Sequence, residues 1–380
     1  MLATLGAIWA KIAAVIMSVV MTFGTTFGLF TEPTTVNAED YVNSNIKNVI
    51  LLIGDGMGQL HLEKTKQERN ITLAMDTFEI KAYSRTRSIS NAVTDSAAGG
   101  TALSAGVRTL NGAIGVYFTD PLNVFSHPMD IRELCAANGM MTGVVTTDET
   151  SGATPSAFSA HEASRDNAKA ITADQLTSDA DLIWGAENGY ADKAEVEENG
   201  FTYVTTYDEM MALEEGSRSF AQFDNTLWAL EQADENTPTL EQMSMKAIDL
   251  LDDTDEGFFL MIEGAHIDKH SHSNADEDMT ESLEAFDNTI EAVLEYAKAD
   301  GETLVIVTAD HETGAIVAND DGTYSFTSGS HSAADVYILV YGSDNFVADG
   351  ETINNYEIPQ RIAYTLGFTQ EQFPAEIYNY

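Results

Sequence analysis

A serine that directly follows an aspartate stands at the head of a run of very small side chains. Ser96 follows Asp95, and Ala97-Ala98-Gly99-Gly100 comes next. The small residues predict the start of a helix that packs closely against another element. A helix start favours an anion because its first N–H groups are free. We therefore interpret Ser96 as a nucleophile. The alternative is that Ser96 only caps the helix, with help from Asp95.

Acidic and imidazole side chains directly follow several short apolar runs, where functional residues of an open α/β sheet collect. Asp55 follows the run 49–53 and is flanked by glycines, Glu263 follows the run 258–262, and Asp310 and His311 follow the run 303–308. A single one of these residues could be a polar loop residue. Their repetition at three predicted strand ends favours a common site.

Two further stretches add ligand-type side chains. Asp268 and His272 are four residues apart, so one helical turn points both in the same direction. His331 lies on a Gly/Ser-rich loop before another apolar run. Carboxylates combined with imidazoles suit a zinc-type ion. His266 and His270 are weaker candidates, expected outside the ligand set or exposed.

Apolar runs alternate with helical patterns along the chain. The predicted strands are 49–53, 142–147, 258–262, 303–308 and 336–340, and the predicted helices are 131–138, 240–251 and 279–299. Alternation of this kind predicts an α/β fold with three layers, in which helices cover both faces of a mostly parallel sheet. The acidic part 166–235 has weaker periodicity and is expected to hold peripheral helices and a covering segment. Because the sequence has no internal repeats and no low-complexity linker, we predict a single domain over residues 39–380.

The charge is strongly acidic. The 380 residues include 18 Lys and Arg against 61 Asp and Glu, a net charge of −43. Such a surface repels nucleic acid and anionic membranes. It also suggests salty surroundings, where screening weakens self-repulsion. The single cysteine, Cys135, excludes an intrachain disulfide and is expected as a small core residue of a helix.

The N-terminal segment is apolar. Lys11 precedes an apolar stretch over 12–30, and Val36-Asn37-Ala38 resembles a small-residue cleavage site. We interpret 1–38 as a secretory signal, which predicts a periplasmic or extracellular protein with no stable membrane association after cleavage. The alternative is a retained membrane anchor, because the apolar run approaches spanning length.

Taken together, these motifs resemble those of the alkaline phosphatase family, the metal-dependent phosphomonoesterases with a serine nucleophile. They occur in the family's order over roughly residues 46–342. The matching stretches are 48–58, 93–98, 153–155, 160–165, 263–272, 308–314 and the loop that holds His331.

The resemblance implies an alkaline-phosphatase-like fold and three metal ions, two zinc and one magnesium. One zinc would be held by Asp268, His272 and His331. The second would be met by Asp55, Asp310, His311 and the Ser96 oxygen. Magnesium would be held by Asp55, Thr154 and Glu263. Arg165 would bind two phosphate oxygens, Lys269 would contact phosphate through water, and Ser96 would form a phosphoserine during hydrolysis of small phosphate monoesters. Members of the family are commonly homodimers.

One position departs from the family pattern. Gly152, two residues before Thr154, stands where the family usually has Asp or His. The glycine removes a side chain from the magnesium surroundings, which leaves the identity and affinity of the third metal open. The chain is also short for the family, so a more open site and broad specificity are expected.

Two other classes of function remain open on these motifs. A related sulfatase, phosphodiesterase or phosphomutase would share the sheet and the metals. However, the modified residue of sulfatases is not found around Ser96, and Thr154 and Glu263 argue against the phosphodiesterases. An exported phosphate-binding protein would need an anion pocket but no metal cluster.

Overall fold

The computed structural model describes residues 36–117, 126–224, 236–252 and 254–373. Within these residues a ten-stranded sheet is accompanied by two small two-stranded sheets. The strands are β1 (Asn48–Gly54), β2 (Ile80–Arg85), β3 (Met141–Glu149), β4 (Leu182–Ala186), β5 (Thr202–Val204), β6 (Ser219–Phe223), β7 (Phe258–Gly264), β8 (Thr303–Thr308), β9 (Glu312–Thr313), β10 (Val317–Ala318), β11 (Tyr324–Ser325), β12 (His331–Ser332), β13 (Val336–Tyr341) and β14 (Thr352–Asn354).

Helices connect most of these strands. In the described ranges they are α1 (Gln59–Arg69), α2 (Ser96–Ala105), α3 (Ile131–Ala137), α4 (Ala153–Ala157), α5 (Ala168–Thr177), α6 (Lys193–Glu198), α7 (Tyr207–Met211), α8 (Leu240–Leu251), α9 (His266–His272), α10 (Asp276–Asp300) and α11 (Glu357–Thr365). Two short 3₁₀ turns, Ala38–Asp40 and Ala74–Thr77, complete the set.

The large sheet is mostly parallel. Its strand order is β14-β2-β13-β8-β1-β7-β3-β4-β6-β5. Strand β13 pairs antiparallel with both β8 and β2, and the other neighbouring strands of this sheet pair in parallel. The predicted α/β architecture with a mostly parallel sheet is therefore confirmed.

Both faces of the sheet are covered by helices. Along β1, Ile50 and Leu52 belong to one buried cluster, which includes apolar residues of α1, α8, α9 and α10. Val49, Leu51 and Ile53 belong to the other cluster, which includes residues of α2, α3, α4 and α11. Because successive strand side chains point to opposite faces, a continuous apolar run is what a doubly covered strand requires.

The five predicted strands and three predicted helices are all present, with small shifts at their ends. Cys135 is buried in α3 as expected. The expectation for 166–235 was wrong in one respect. Besides three helices, this region contributes β4, β5 and β6, which form one edge of the main sheet. These strands have only five, three and five residues, and such short runs give little periodicity.

The predicted signal segment 1–38 lies outside the described residues except for its last three. Of these, Val36 is buried in the core and accepts a hydrogen bond from the Gln370 side chain at 2.6 Å. Among the described residues, none of the helices is long and apolar enough to cross a membrane.

Candidate active site

The parallel strands at the centre of the sheet bring their carboxyl ends to one edge. Ile53, near the end of β1, is in register with Glu263 of β7 and with Thr308 of β8. Asp55 leaves β1 two residues after Ile53, and Asp310 leaves β8 two residues after Thr308. Acidic and imidazole side chains that are far apart in sequence therefore meet beside one another, as expected for an open α/β sheet.

Helix α2 brings Ser96 to this edge. Its N-cap is Asp95, whose Oδ1 accepts a hydrogen bond from the Ala98 N–H at 3.0 Å. Ser96 is the first helical residue, and its Oγ lies 3.1 Å from Nε2 of His311. The Ser96 side chain is therefore not the cap. Its buried hydroxyl faces the imidazole and carboxylate cluster, as the nucleophile interpretation requires.

The small residues after Ser96 allow α2 to approach this cluster closely. A Cβ placed on Gly99 would lie 2.9 Å from the Asp310 carbonyl oxygen, and one on Gly100 would lie 3.0 Å from Cβ of Ala157. Larger side chains at these two positions would push α2 away from the strand end and from α4. The predicted close packing of this helix is confirmed.

Asp268, His272 and His331 form the first group of ligand-type side chains. The Asp268 carboxylate oxygens lie 3.3 Å from Nε2 of His272 and 3.6 Å from Nε2 of His331. The two Nε2 atoms are 3.1 Å apart. Each Nδ1 lies 2.9 Å from a backbone carbonyl oxygen, that of Gly329 for His272 and that of Thr94 for His331.

These contacts assign the imidazole tautomers. Since a carbonyl oxygen only accepts, both Nδ1 atoms carry the hydrogen, and both Nε2 atoms are left for a proton or a cation. Two such nitrogens facing each other beside a carboxylate match the donor set of a zinc-type ion.

Asp55, Asp310 and His311 form the second group. Nε2 of His311 lies 3.5 Å from Asp55 Oδ1 and 3.2 Å from Asp310 Oδ2. Asp310 Oδ1 accepts from the N–H groups of Gly56 and His311, whereas Asp55 Oδ1 and Asp310 Oδ2 are buried without a hydrogen-bond partner. Buried carboxylate oxygens without partners are costly, and a bound cation would satisfy them.

Glu263, Thr154 and Thr146 form a third group of oxygen donors. Thr146 donates its hydroxyl hydrogen to Oε2 of Glu263. Oε1 of Glu263 and the Thr154 hydroxyl oxygen are buried without a well-formed hydrogen bond. An all-oxygen set of this kind fits a hard cation such as magnesium.

Three side chains of the site have pKa values above their usual range. Burial, and then the negative charges of Asp310 and other carboxylates, raise the pKa of Asp55 well above its usual range. Burial followed by the charge of Asp148 raises the pKa of Glu263 to about 8. A hydrogen bond to Asp268 raises the pKa of His272 to about 9. A cluster in which carboxyls and an imidazole retain protons near neutral pH is one in which cations can replace those protons.

Two basic side chains lie at the rim of the site. Nη1 of Arg165 is 3.3 Å from Asp95 Oδ2, and about a third of the Arg165 side chain is exposed. Lys269 on α9 forms an ion pair with Asp148 at the end of β3. Each basic group is thus paired with a carboxylate, Arg165 with the residue that precedes Ser96 and Lys269 with Asp148.

The structure brings the eleven predicted site residues to this edge of the sheet, and places two weaker candidates apart. His266 and His270 stack on each other with ring centroids 5.9 Å apart, and His270 faces Asp278.

Sequence reasoning missed two contributors to the site. Thr313 donates to Asp268 Oδ1 and lies 3.2 Å from Nδ1 of His311. Asp148 pairs with Lys269. Asp148 directly follows the predicted strand 142–147, so the rule that flagged Asp55 could also have flagged it, whereas Thr313 is a hydroxyl residue that the rule does not cover.

Comparison with known proteins gives a consistent result. The family model for alkaline phosphatase matches residues 46–184 and 184–326. Alkaline phosphatase 4 of Bacillus subtilis is 32% identical over 321 residues, covering 77% of this chain and 66% of the relative, so the match spans just under two thirds of that protein.

Solved structures agree with the sequence match. The alkaline phosphatase of the Antarctic bacterium TAB5 aligns with a TM-score of 0.74 at 32% identity, covering 86% of this chain and 99% of that one. A variant of the same enzyme, with glutamate in place of one histidine, has Mg bound in its M3 site. It aligns with a TM-score of 0.73 at 32% identity, with the same coverage.

Proposed function

Because the chain belongs to the alkaline phosphatase family, we propose that it hydrolyses phosphate monoesters to an alcohol and inorganic phosphate. The observation that carries this proposal is the position of the Ser96 hydroxyl, 3.1 Å from His311 Nε2. Around it lie buried carboxylate oxygens without hydrogen-bond partners and two imidazole nitrogens that face each other. A hydroxyl in these surroundings can act as a nucleophile, which an isolated serine does poorly.

We assign three cations to the site. Asp268, His272 and His331 would hold one zinc, and Asp55, Asp310 and His311 would hold the second beside Ser96. Asp55, Thr154 and Glu263 would hold magnesium, in keeping with the Mg bound in the TAB5 variant. When bound, these cations would stabilise negative charge on the attacking and leaving oxygens of the phosphoryl group.

The residues of the chain supply the nucleophile and the orientation. Ser96 Oγ attacks phosphorus, the new Oγ–P bond forms, and the ester P–O bond breaks as the alcohol leaves with a proton. Water then attacks the phosphoserine, the Oγ–P bond breaks, and inorganic phosphate is released. Ser96 is also the first residue of α2, and the partial positive charge at a helix N-terminus favours an anion there.

Arg165 and Lys269 hold the phosphate in this scheme. The planar guanidinium of Arg165 can donate two parallel hydrogen bonds to phosphate oxygens. Asp95 limits the positions that the guanidinium adopts, because Nη1 lies 3.3 Å from its carboxylate. Lys269 adds a second positive charge from α9 and would reach phosphate through water.

Export is also proposed, with 39–380 as the catalytic domain. The apolar stretch over 12–30 and the small-residue site at 36–38 support it. N-terminal sequencing of protein recovered from outside the cytoplasm should find a start near residue 39. An intact N-terminus would support the retained anchor instead.

The activity is tested by comparing an aryl phosphate monoester, a diester and an aryl sulfate as substrates. The monoester should be hydrolysed far faster than the other two, and exhaustive chelation should abolish turnover until zinc is restored. Preference for the diester or the sulfate would assign the chain to a different reaction. Undiminished activity after complete chelation would refute the metal assignment.

Substitution of the nucleophile provides the sharpest check. Ser96→Ala should reduce turnover on the order of 10³-fold or more while zinc content and circular dichroism stay unchanged. Ser104→Ala, on the same helix but bonded to the Thr101 carbonyl oxygen, should retain turnover. Acid quenching should trap phosphate on the parent protein and not on the Ser96 variant. Trapping on both would reject Ser96.

A further inference from the structure

The space beside Gly152 is filled by the side chain of Asp148. A Cβ placed on Gly152 would lie 2.5 Å from Oδ2 and 2.8 Å from Cγ of Asp148. Contacts this short are not tolerated, so a side chain at position 152 and the observed position of the Asp148 carboxylate exclude each other. The carboxylate comes instead from the end of β3, four residues earlier in the chain.

Three contacts hold Asp148 in place. Its Oδ1 accepts hydrogen bonds from the Lys269 ammonium and, at 2.8 Å, from the Glu149 N–H. Its own N–H donates to the Thr146 hydroxyl oxygen at 2.8 Å. Both of these hydrogen bonds go to Oδ1. They leave Oδ2 able to interact with a nearby positive charge.

Asp148 is linked to the third group of oxygen donors. Thr146 accepts from the Asp148 N–H and donates to Oε2 of Glu263, so one hydroxyl connects the two residues. Thr154, the other oxygen donor of the group, lies two residues after Gly152 on the same short segment.

We propose that Asp148 supplies the third cation site with the carboxylate charge that Gly152 cannot carry, and that the Asp148–Lys269 pair sets the net charge of that site. Asp148 is a positioning residue in this assignment. It acts on the cation through its charge and through the hydrogen bond that orients Thr146 against Glu263. The inference rests on the proposed function only in so far as that function places a cation at Thr154 and Glu263.

The experiment measures cation binding without substrate. Zinc-loaded protein is titrated with Mn²⁺ as the probe of the third site, and free Mn²⁺ is followed by electron paramagnetic resonance. Asp148→Asn keeps the shape of the side chain and removes its charge, and it should weaken Mn²⁺ binding by about 10–100-fold, as for other groups that support metal ligands. Lys269→Met removes the opposing charge and should tighten binding.

Matched variants distinguish the role of the Asp148 carboxylate from the loss of any nearby negative charge. Glu149→Gln removes the exposed carboxylate next to Asp148 and should leave binding within about twofold of the parent protein. Gly152→Ala should weaken binding, because the added methyl group displaces the Asp148 carboxylate. The double variant Asp148→Ala with Gly152→Asp moves the carboxylate to the other position and should restore binding relative to Asp148→Ala alone.

Unchanged Mn²⁺ affinity in Asp148→Asn would overturn the proposal, as would the absence of a Mn²⁺ site in the parent protein. If Asp148→Asn proves unstable, Gly152→Ala and the double variant decide the same question.

The proposal about Asp148 and the proposed function can be rejected independently of each other. A chain that hydrolyses monoesters but binds Mn²⁺ independently of Asp148 rejects only this one, and a chain with Asp148-dependent binding but no hydrolysis rejects only the proposed function.

Discussion

At the scale of single residues, the imidazoles of His272 and His331 show how the site is organised in advance. Both rings are fixed through Nδ1 by backbone carbonyls, and their Nε2 atoms are 3.1 Å apart. Little rearrangement is needed for both to bind one cation. Without a cation, the same arrangement favours a proton on His272, whose pKa rises to about 9 through its hydrogen bond to Asp268.

Proton release on metal binding follows from these shifts. Glu263, with a pKa of about 8 raised by burial and by Asp148, and His272, with a pKa of about 9, both hold protons at pH 7 in the metal-free protein. Zinc and magnesium binding should therefore release protons, and apparent affinity should rise with pH through this range. Titration in weakly buffered solution with a pH indicator measures the release. Binding without any acidification would contradict the assignment.

The same two pKa shifts determine how Glu263 and His272 contribute to the pH dependence of stability. Both folded-state pKa values lie above those of the unfolded chain, so the folded metal-free protein binds more protons than the unfolded chain does. The contribution of these two groups to stability should consequently fall as pH rises from about 4.5 to about 9. Urea unfolding at several pH values checks this, and Glu263→Gln should flatten the dependence.

Arg165 should contribute to phosphate binding more than to folding. Arg165→Ala should weaken the binding of inorganic phosphate as an inhibitor by about 1.5–3 kcal/mol, the usual range for a hydrogen bond to a charged group. Arg165→Lys keeps the charge and loses the paired donors, so it should recover only part of that loss. Unaltered phosphate inhibition in Arg165→Ala would remove this residue from the site.

Most of the site residues could be named from sequence because each follows an apolar run or belongs to a recognisable motif. Asp148 also follows such a run, but its role could not be predicted from that position. The role of Asp148 depends on its ion pair with Lys269, 121 positions away, and on the lack of a Cβ atom at Gly152. These contacts exist only once the sheet has formed. The sequence therefore shows that position 152 has no side chain, but it does not show that Asp148 takes its place.

At the scale of elements, α2 is positioned by its glycines. Gly99 faces the Asp310 carbonyl oxygen and Gly100 faces Ala157 of α4. Glycine inside a helix normally costs about 1 kcal/mol relative to alanine. Here the cost is offset by the close approach that brings Ser96 to the end of β8.

Gly99→Ala tests this packing. The added methyl group would lie 2.9 Å from a backbone oxygen that cannot move without moving Asp310. We expect a loss of stability of about 1–3 kcal/mol from overpacking, together with weaker zinc binding. Gly100→Ala is the control, because its methyl group meets a side-chain methyl at 3.0 Å and should disturb zinc binding less. Equal zinc affinity in both variants would show that the glycine at 99 does not position the site.

The central strands were predictable and the edge strands were not. A strand covered on both faces, such as β1 or β8, is a continuous apolar run that stands out in the sequence. The edge formed by β4, β5 and β6 consists of short runs inside an acidic region. The antiparallel orientation of β13 could not be predicted either, since an apolar run does not indicate whether the strand pairs in parallel or antiparallel.

At the scale of the whole molecule, the net charge of −43 contrasts with the proposal that the site accepts a phosphate dianion. Surface charges are screened over about 8–10 Å at moderate ionic strength, whereas buried charges are screened much less. The cations assigned to the site, with Arg165 and Lys269, would therefore determine the local potential. The acidic surface acts mainly on stability.

Screening should stabilise the folded chain. We expect the melting temperature of zinc-loaded protein to rise by several degrees between about 0.01 and 0.3 M NaCl, as the screening length falls from about 30 Å to below 10 Å. Differential scanning calorimetry measures the change, and KCl and tetramethylammonium chloride should act alike. A flat profile would exclude self-repulsion as a major cost, and a rise with only one cation would indicate specific binding.

The hydroxyl of Ser96 and the ring of His311 come from positions 215 residues apart. During synthesis the first of these leaves the ribosome long before the second exists. An incomplete chain that ends before β8 thus has no means of reacting with an ester, however well its early helices have formed. Under the proposed function, turnover would therefore report that translation has passed β8 and that the segments carrying Ser96 and His311 have come together.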